Sequence, residues 1–537
     1  MKNRTNTRRC GRTYNVLSAK TLILAGFAVI ISLGISSLTL YTRTAAMQEL
    51  DKSKLTPPTE AALESFESKS FDSPLVDATS GTGSNPFGSG SPHAYEARLV
   101  ASDPGNLEHF GYDVAISGNT AIVGARRDGF PGDVGAAYIY VRNGTTWSEQ
   151  TKLIPNNPNR DNFGWSVAIE GDTAVVGAVG AGVAIPGAVH IYTRTGSTWT
   201  LQQRIAGGTA FGNDVAISGN TVVVTGSSST PTAHVYFRTG STWSEQQTLN
   251  ASIGLRILAV AISGDTAVLA TPFDGPQGSR PGSAFVYIRS GTTWTLEQRL
   301  QASDPVDGSG FGTSVAIDDV TIIVGAVGSI NAAYVFVRGP VNWTQQKKLS
   351  ASDAEPNDAF GRSVALLGDT AVVGADLDDF GTATNQGSAY VYTRCGVEWT
   401  EMQKLTIPAG GVGVQPRFGY SVTLSADTVL AGAESDDLTS AQLNEGSTYV
   451  FRSSGGSFGQ PVGTQCTSEI IVNRTSDEED FSLNDDFCDV DMNTSGNQCT
   501  LRAAIQTAND LPGPDTIKFD IPGGGVQTIS PAGALPP

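Results

Sequence analysis

The hydrophobic pattern repeats along most of the chain, with a period of about fifty residues. In the copy that opens at Phe360, apolar residues alternate up to the turn Gly368-Asp369, and residues 371–374 then form a continuous apolar run. An aromatic run at 389–392 and a run from Trp399 complete the copy. Each copy therefore predicts four short strands, of which the second is covered on both faces.

Phe-Gly pairs open most copies. They begin at Phe110, Phe163, Phe211, Phe311, Phe360 and Phe418. Between Phe211 and Phe311 a further copy has a decayed opening at Leu258-Ala259, while residues 261–268 keep the register. Seven copies of four antiparallel strands predict an all-β fold, a seven-bladed β-propeller over residues 93–464.

The two ends of the repeat region predict how the ring closes. The seventh copy loses its fourth strand, with Phe458 in place of the usual Trp, while residues 96–100 precede the first Phe-Gly and resemble a spare fourth strand. We expect this segment to pair into the last blade and remove two exposed sheet edges. Within a fourth strand, the even offset from Trp147 to Leu153 predicts that both side chains lie on one face and pack against the neighbouring blade.

Residues 1–92 indicate export. Basic residues precede an apolar stretch over residues 21–41, and Thr44-Ala45-Ala46 offers a cleavage site. Residues 1–46 are therefore a signal peptide or an uncleaved membrane anchor, and both interpretations stay open. Residues 47–92, rich in Ser, Thr, Gly and Pro, predict a flexible linker. The protein is expected outside the cytoplasm, secreted or at the cell surface.

The overall charge narrows the class of partner. The chain has 52 acidic and 34 basic residues, a net charge of −18. This balance argues against nucleic acid or an anionic membrane surface as the main partner. No Gly-x-Ser-x-Gly elbow, phosphate loop or His-Glu-x-x-His motif is present. The sequence thus favours a protein that is not an enzyme.

The repeat resembles the FG-GAP repeat family, best known from the propellers of integrin α-subunits. The Phe-Gly openings carry the resemblance, together with Gly-Ala pairs at Gly124, Gly177, Gly325, Gly374 and Gly432. The Trp-Thr and Gln-Lys-Leu variant is similar to a bacterial surface-protein subgroup. The resemblance implies binding or adhesion outside the cell, with an extracellular protein or glycan as partner and usually no catalysis.

The family's calcium sites are not carried over. In integrin-type repeats, calcium occupies an Asp-rich loop between the first two strands of a blade. Here that loop is reduced to turns such as Gly171-Asp172 and Gly368-Asp369. A turn this short does not supply the six to eight oxygen ligands that calcium prefers. We therefore expect no cofactor.

The C-terminal segment 465–537 has a different character. Residues 499–505 resemble the CSLREA-type motif that opens right-handed parallel β-helices, with Thr for Ser and Ala for Glu. The resemblance implies a short cap helix over 501–509 and a first strand near 516–519. A β-helix needs several stacked coils, so a truncated cap is expected here. In an oxidising compartment, Cys488 and Cys499 are the favoured disulfide pair.

Strand order predicts which loops could bind a ligand. The loop from strand four into the next blade and the loop between strands two and three should share one face. Both loop types are acidic. The candidate ligand-binding residues are Asp304, Asp307, Asp353, Asp358, Asp376, Asp378, Asp379, Asp436 and Asp437. They form either a site for a cation or polar ligand on a rigid scaffold, or a set of solvated loop carboxylates.

The opposite face predicts a ring of arginines. It comprises Arg142, Arg194, Arg238, Arg289, Arg338, Arg394 and Arg452. The ring either grips an anionic ligand or pairs with the nearby turns. His190 and His234 occupy the strand-three position of tyrosines in other copies, so they are expected to pack like aromatic side chains.

Three function classes remain at this stage. A non-enzymatic binding or adhesion scaffold is favoured. The alternatives are a carbohydrate-active enzyme, either a lyase or a hydrolase, and a structural spacer that displays a further C-terminal region. Fold alone does not separate them.

Overall fold

The computed structural model describes the propeller and short parts of the C-terminal segment. The described residues are 93–129, 134–155, 162–180, 186–226, 232–251, 257–275, 280–379, 384–408, 415–437, 443–453, 469–472, 500–502, 505 and 516–519. The predicted signal or anchor (1–46), the linker (47–92) and the Cys488–Cys499 pair lie outside them. In the described part of the chain, no helix is long and apolar enough to cross a membrane.

Six blades each contain four strands in chain order. Blades one to three comprise β2 (Phe110–Ser117), β3 (Thr120–Ala125), β4 (Ala136–Asn143), β5 (Thr146–Leu153), β6 (Phe163–Glu170), β7 (Thr173–Ala178), β8 (Ala188–Thr195), β9 (Thr198–Ala206), β10 (Val215–Ser218), β11 (Thr221–Gly226), β12 (Thr232–Thr239) and β13 (Thr242–Asn250). Blades four to six comprise β14 (Ala259–Ser263), β15 (Thr266–Thr271), β16 (Ser283–Ser290), β17 (Thr293–Leu300), β18 (Phe311–Asp318), β19 (Thr321–Ala326), β20 (Ala332–Arg338), β21 (Trp343–Leu349), β22 (Phe360–Leu367), β23 (Thr370–Ala375), β24 (Ser388–Cys395) and β25 (Glu398–Leu405).

Blade seven closes the ring with a strand from the other end of the repeat region. It comprises β26 (Phe418–Ser425), β27 (Thr428–Ala433), β28 (Ser447–Ser453) and β1 (His93–Leu99), in the sheet order β1-β28-β27-β26. The pairing of β1 with β28 is antiparallel, from His93 opposite Ser453 to Leu99 opposite Thr448. The predicted closure is confirmed, and the described residues form an all-β, seven-bladed propeller of four-stranded antiparallel blades.

A β-bulge in the fourth strand overturns one prediction. Opposite Ile139 and Tyr140, strand β5 has one extra residue, because their partners are Thr151 and Glu149. The extra residue reverses the alternation of side chains along the strand. Leu153 therefore packs in the cluster shared with blade two, whereas Trp147 packs in the cluster shared with blade seven. The prediction that both lie on one face was wrong, because an even offset holds only in a strand without a bulge.

The Phe-Gly opening has a physical basis in a second irregularity. Phe110 pairs with Ala125 and Asp113 pairs with Gly124, so the two residues between them bulge out of the ladder. Phe110 is fully buried between blades. Gly111 has a φ of 84°, and a Cβ there would lie 2.4 Å from the carbonyl oxygen of Ser447. Only glycine both adopts this positive φ without strain and lacks the Cβ that would clash with this oxygen.

The hydrophobic core lies between the blades rather than in one central mass. One cluster, for example, joins Ile122, Ile139 and Leu153 of blade one to Phe163 and Trp199 of blade two. The middle strands β3, β7, β11, β15, β19, β23 and β27 are buried along their whole length. Their continuous apolar runs in the sequence follow from this cover on both faces.

The described part of the C-terminal segment contains two strands that pair in parallel. These are β29 (Glu469–Val472) and β30 (Thr516–Phe519), in register from Glu469 opposite Thr516. Leu501, Arg502 and Ile505 are helical, as the predicted cap helix requires. A parallel pair is compatible with a β-helix, but the β-helix cap itself stays a prediction. Cys395, which stands alone in the sequence, is disulfide-bonded.

Candidate ligand site at the mouth of the central channel

The first strands of the blades surround a central channel with a cavity of about 450 Å³. One residue just before or at the start of each blade's first strand lines this cavity; in the six copies with a Phe-Gly pair it follows the glycine, and in blades one, two, five, six and seven it lies in the bulge. These residues, in blade order, are Tyr112, Trp165, Asn213, Leu258, Thr313, Arg362 and Tyr420. The position thus differs from copy to copy, while the flanking repeat is nearly constant.

Three aromatic rings gather on one side of the channel mouth. The Tyr112 ring lies 5.0 Å from that of Trp165 and 5.1 Å from that of Tyr420, measured between centroids. All three side chains are only partly buried. Guanidinium groups cover them: Arg126 lies 4.2 Å from the Tyr112 centroid, and Arg362 lies 4.3 Å from the Tyr420 centroid. Such stacking is a cation–π contact.

Two buried carboxylates fix part of this cluster. Arg417 bridges them, pairing with Asp376 and, at 2.7 Å, with Glu434. His109 Nδ1 lies 2.6 Å from Glu434 Oε2. Burial raises the pKa of Glu434, but the hydrogen bond and charge of His109, followed by the charge of Arg417, hold that pKa below its usual value. We call Tyr112, Trp165, Tyr420, Arg126, Arg362, Arg417, Asp376 and Glu434 the mouth cluster.

Arg362 differs from the other two arginines of the mouth cluster. Within the described residues it has no ion pair with a carboxylate, although it lines the cavity. Burial disfavours its charge, but the Tyr420 hydroxyl and the Asp376 carboxylate hold the pKa of Arg362 above its usual value. The channel mouth therefore contains a charged guanidinium whose donors are not committed to a carboxylate.

A second ring of polar residues lies one position further along the first strands. In four blades it is a serine that donates to a glycine carbonyl of the next blade; Ser166 to Gly212 at 2.9 Å is one case. Blades one and three have Asp113 and Asp214 instead. Asp113 accepts the N–H of Val114 and, at 2.6 Å, that of Val167 in the next blade. Burial raises the pKa of Asp113 to about 7.

The predicted acidic residues lie on the expected loops, and several are bound within a repeated unit. Asp353 accepts from the Tyr390 hydroxyl at 2.8 Å and pairs with Lys404 Nζ at 2.7 Å. Asp304 makes the same contacts with Tyr334 and Lys348, at 2.7 and 2.6 Å. Blade one repeats the unit. Its members are Asp103, Tyr138 and Lys152. We call these three units the Tyr-Asp-Lys triads.

Three more of the predicted aspartates are buried and paired. Asp378 pairs with Lys404 Nζ at 2.6 Å and accepts from Ser388. Asp436 pairs with Arg98 at 2.5 Å and accepts from the Tyr449 hydroxyl at 2.7 Å. Asp376 belongs to the mouth cluster and is 1% exposed. These contacts tie the loops to the strands below them.

The remaining predicted aspartates accept backbone N–H groups. The donors are Arg280 for Asp307, Glu355 for Asp358, Asn385 for Asp379 and Asn444 for Asp437, each at 2.7 Å. The nine residues are spread over blades four to seven; in the described part of the chain Asp353 and Asp378 share Lys404, and Asp436 and the Asp437 carbonyl share Arg98. Their role as a ligand face stays a prediction, and their contacts support a role in shaping the loops.

The ring of arginines on the opposite face is paired within the protein. Arg194 Nε lies 2.7 Å from Asp172, and its Nη1 donates to Thr120 of the preceding blade at 2.9 Å. Arg289 and Arg394 repeat this arrangement. Of the two interpretations weighed from the sequence, the contacts favour pairing with nearby turns.

The two histidines pack as predicted. The His190 ring lies 5.1 Å from that of Phe163 in an edge-on arrangement, and His234 lies 5.5 Å from Phe211. Tyr138 meets Phe110 in the same way at 5.3 Å. No group of three or more metal-ligating His, Cys, Asp or Glu side chains occurs within the residues that the structure describes.

The sequence predicted one member of the mouth cluster, Asp376, and missed the others. Their signal was partly present: the residue after Phe-Gly varies between Tyr, Trp, Asn, Thr and Arg, whereas its neighbours are nearly constant. A period-two strand pattern gives no reason to select that position. Its exposure to the channel depends on the bulge, which becomes visible only in the register of β2 against β3.

The sheet topology and the central channel define the described residues between 93 and 453 as a β-propeller. The FG-GAP repeat model matches residues 94–140, 147–192, 294–336, 343–392 and 399–451. Each matched segment contains the fourth strand of one blade and the first three of the next. These matches support the FG-GAP resemblance for the propeller. No curated protein shows significant similarity to the chain.

Proposed function

We propose that this protein is an exported, non-enzymatic binding scaffold and that its ligand enters at the mouth cluster. One observation carries the proposal. The bonds that join the blades recur around the ring, whereas the position after Phe-Gly places three aromatic side chains and one arginine on one side of the mouth. Partly exposed aromatic and arginine side chains at a cavity are typical of binding sites.

A binding screen with the full-length chain tests this proposal. The chain is applied to an array of glycans and extracellular proteins, beside the double variant Tyr112→Ala/Trp165→Ala. We expect selective binding that the double variant loses. Phe273→Ala is a matched control, because Phe273 is an exposed aromatic residue outside the mouth cluster. Equal binding by wild type and the double variant would contradict the proposed site.

Calcium enters the same experiment as a separate arm. The turns between the first and second strands are too short for the family's calcium site, so we propose that binding needs no metal. Thermal unfolding of the full-length chain with and without calcium should then give the same melting temperature. A calcium-dependent rise would show that the acidic loops bind the ion and would overturn this part of the proposal.

A carbohydrate-active enzyme is the second candidate, and one observation favours it. Asp113 and Asp214 lie in the channel wall, and burial raises the pKa of both. Carboxyl groups with raised pKa values are common in acid–base catalysis. However, both oxygens of Asp113 and of Asp214 accept backbone N–H groups. Release of reducing ends from any bound glycan, lost in Asp113→Ser, would favour the enzyme.

A further inference from the structure

We infer that the mouth cluster recognises an acidic sugar and that Arg362 receives its carboxylate. This inference rests on the proposed function and names the chemical class of the ligand. The local charge at the channel mouth favours an anionic ligand. The mouth cluster contains three arginines and two carboxylates, so it is positive overall within a chain whose net charge is −18. A positive mouth in an acidic protein attracts anions to one point.

The second step is the availability of donors. Arg417 is committed to Asp376 and Glu434, and Arg126 has Glu434 at 3.9 Å. Arg362 has no such partner in the described part of the chain, and it lines the cavity. A guanidinium group has five N–H donors and binds a carboxylate through two parallel hydrogen bonds. Arg362 is therefore the group in this cluster that can form such a pair with a ligand.

The third step separates a sugar from an acidic peptide side chain. Arg126 stacks on the rings of Tyr112 and Trp165, which are nevertheless only partly buried, and their remaining exposed apolar surface suits the C–H face of a sugar ring. The rest of the channel mouth is formed by Asn213, Leu258 and Thr313, of which Asn213 and Thr313 are polar. Below the mouth, each oxygen of Asp113 accepts one backbone N–H group and has a further lone pair for a hydroxyl donor. Carboxylate, ring face and hydroxyl groups together are the features of a uronic or sialic acid residue.

The cavity volume is consistent with this class of ligand. About 450 Å³ falls within the range of small-molecule sites. The carboxylate would lie at the mouth, because deeper in the channel Asp113 and Asp214 would repel it when ionised. One terminal acidic sugar, with its carboxylate outward and its hydroxyl groups inward, satisfies both ends of the site.

The test uses the full-length chain and three probes: a galacturonic acid oligomer, a glucuronic acid oligomer and a sialyl oligosaccharide. Isothermal titration calorimetry measures each, beside its methyl ester, which has the same ring without the negative charge. We expect at least one acid to bind, and its ester to bind at least about tenfold more weakly. Failure of all three acids to bind would overturn the inference.

Variants assign the effect to the arginine. Arg362→Gln should weaken binding of the acid at least about tenfold and leave the already weak ester unchanged. Arg362→Lys should bind the acid with an affinity between those of wild type and Arg362→Gln, since lysine keeps the charge and loses the two-bond geometry. Arg280→Gln, an exposed arginine on the same face, should bind as wild type does. Melting temperatures of all three variants check that the fold is intact.

The outcomes separate this inference from the proposed function. Suppose that neutral glycans bind, that their binding requires Tyr112 and Trp165, and that Arg362→Gln does not weaken it. The binding scaffold then stands and the acidic-sugar assignment fails. If an acidic peptide binds as tightly as the acidic sugars and needs Arg362, the carboxylate contact stands and the sugar class is wrong. If binding of the acids does not depend on the mouth cluster at all, both proposals fail.

Discussion

The indole Nε1 of Trp199 donates a 2.8 Å hydrogen bond to Oε1 of Gln150 in the preceding blade. Gln150 is the extra residue of the β-bulge in β5, so the bulge aims its side chain at the next blade. The same bond recurs around the ring. Its other instances join Trp147 to Glu96, Trp243 to Gln202, Trp294 to Gln246, Trp343 to Glu297 and Trp399 to Gln346.

The joint between blades six and seven is built differently. Its bulge residue is Met402, and His93 occupies the register position that Trp has in other blades. Gln403 accepts from the His93 backbone N–H at 2.8 Å and donates to the His93 carbonyl at 3.0 Å, as Gln203 does with the backbone of Trp243 at another joint. The joint between blades six and seven is thus made without the Trp bond.

The first prediction concerns the bulge residue. Gln150→Met should remove the acceptor for Trp199 and destabilise the propeller by about 1 kcal/mol, since a buried indole N–H loses its partner. Met402→Gln is the matched control, because the partner position holds His93 and no indole. Thermal unfolding measures both. An equal loss in the two variants would mean that the bulge itself, rather than the indole bond, is sensitive to substitution.

The second prediction concerns Leu367, the last residue of β22. In four other blades a serine at this position accepts the turn N–H of the next blade, as Ser218 does from Gly264 at 3.1 Å, and in two a carboxylate does so. Leu367 is 38% exposed and has no acceptor to offer. Leu367→Ser should therefore raise the melting temperature by roughly 1–2 °C. Ser218→Leu should lower it by a similar amount; a fall in both variants would contradict this account.

The third prediction concerns acid. Partial burial raises the pKa of Asp304 and Asp353, but hydrogen bonds from a lysine and then a tyrosine outweigh it and hold both pKa values below 3.8. A lowered pKa in the folded state stabilises the protein above pH 3.8, and this contribution is lost as the pH falls further. Melting temperature should drop from pH 5 to pH 2.

Variants connect that drop to the Tyr-Asp-Lys triads. Asp304→Asn/Asp353→Asn should melt lower than wild type at pH 6 and show a smaller drop between pH 5 and pH 2. Glu355→Gln, which removes the negative charge of an exposed residue on the same face, serves as the control. An unchanged drop in the double variant would assign the acid sensitivity to other groups.

The fourth prediction is a loss of stability as the pH rises, the opposite direction to the third. Because burial raises the pKa of Asp113 to about 7, the protonated form favours folding, and its contribution is lost as the pH rises from about 4 through 7. Asp113→Ser introduces the serine that blade two has at the equivalent position, Ser166. The variant should show less decline in melting temperature between pH 4 and pH 8. A decline as steep as in wild type would show that Asp113 is ionised throughout that range.

The sequence by itself determined the blades. A repeated Phe-Gly, a continuous apolar run and a Trp-containing strand predict seven four-stranded units, because each local pattern reports how many faces of a strand are covered. The spare strand before Phe110 even predicted how the ring closes, since an unpaired edge needs a partner. These features depend on short-range periodicity, which is visible in one dimension.

Only the tertiary structure decided where the side chains of irregular positions point. One extra residue at Gln150 sends Trp147 and Leu153 to opposite blades, and the bulge after Phe110 turns Tyr112 into the channel. It also decided which charges pair: Asp353 pairs with Lys404, whereas Arg362 has no ion pair with a carboxylate among the described residues. Bulges and charge pairs depend on contacts between residues far apart in the chain, so the pattern that defines the blades does not contain them.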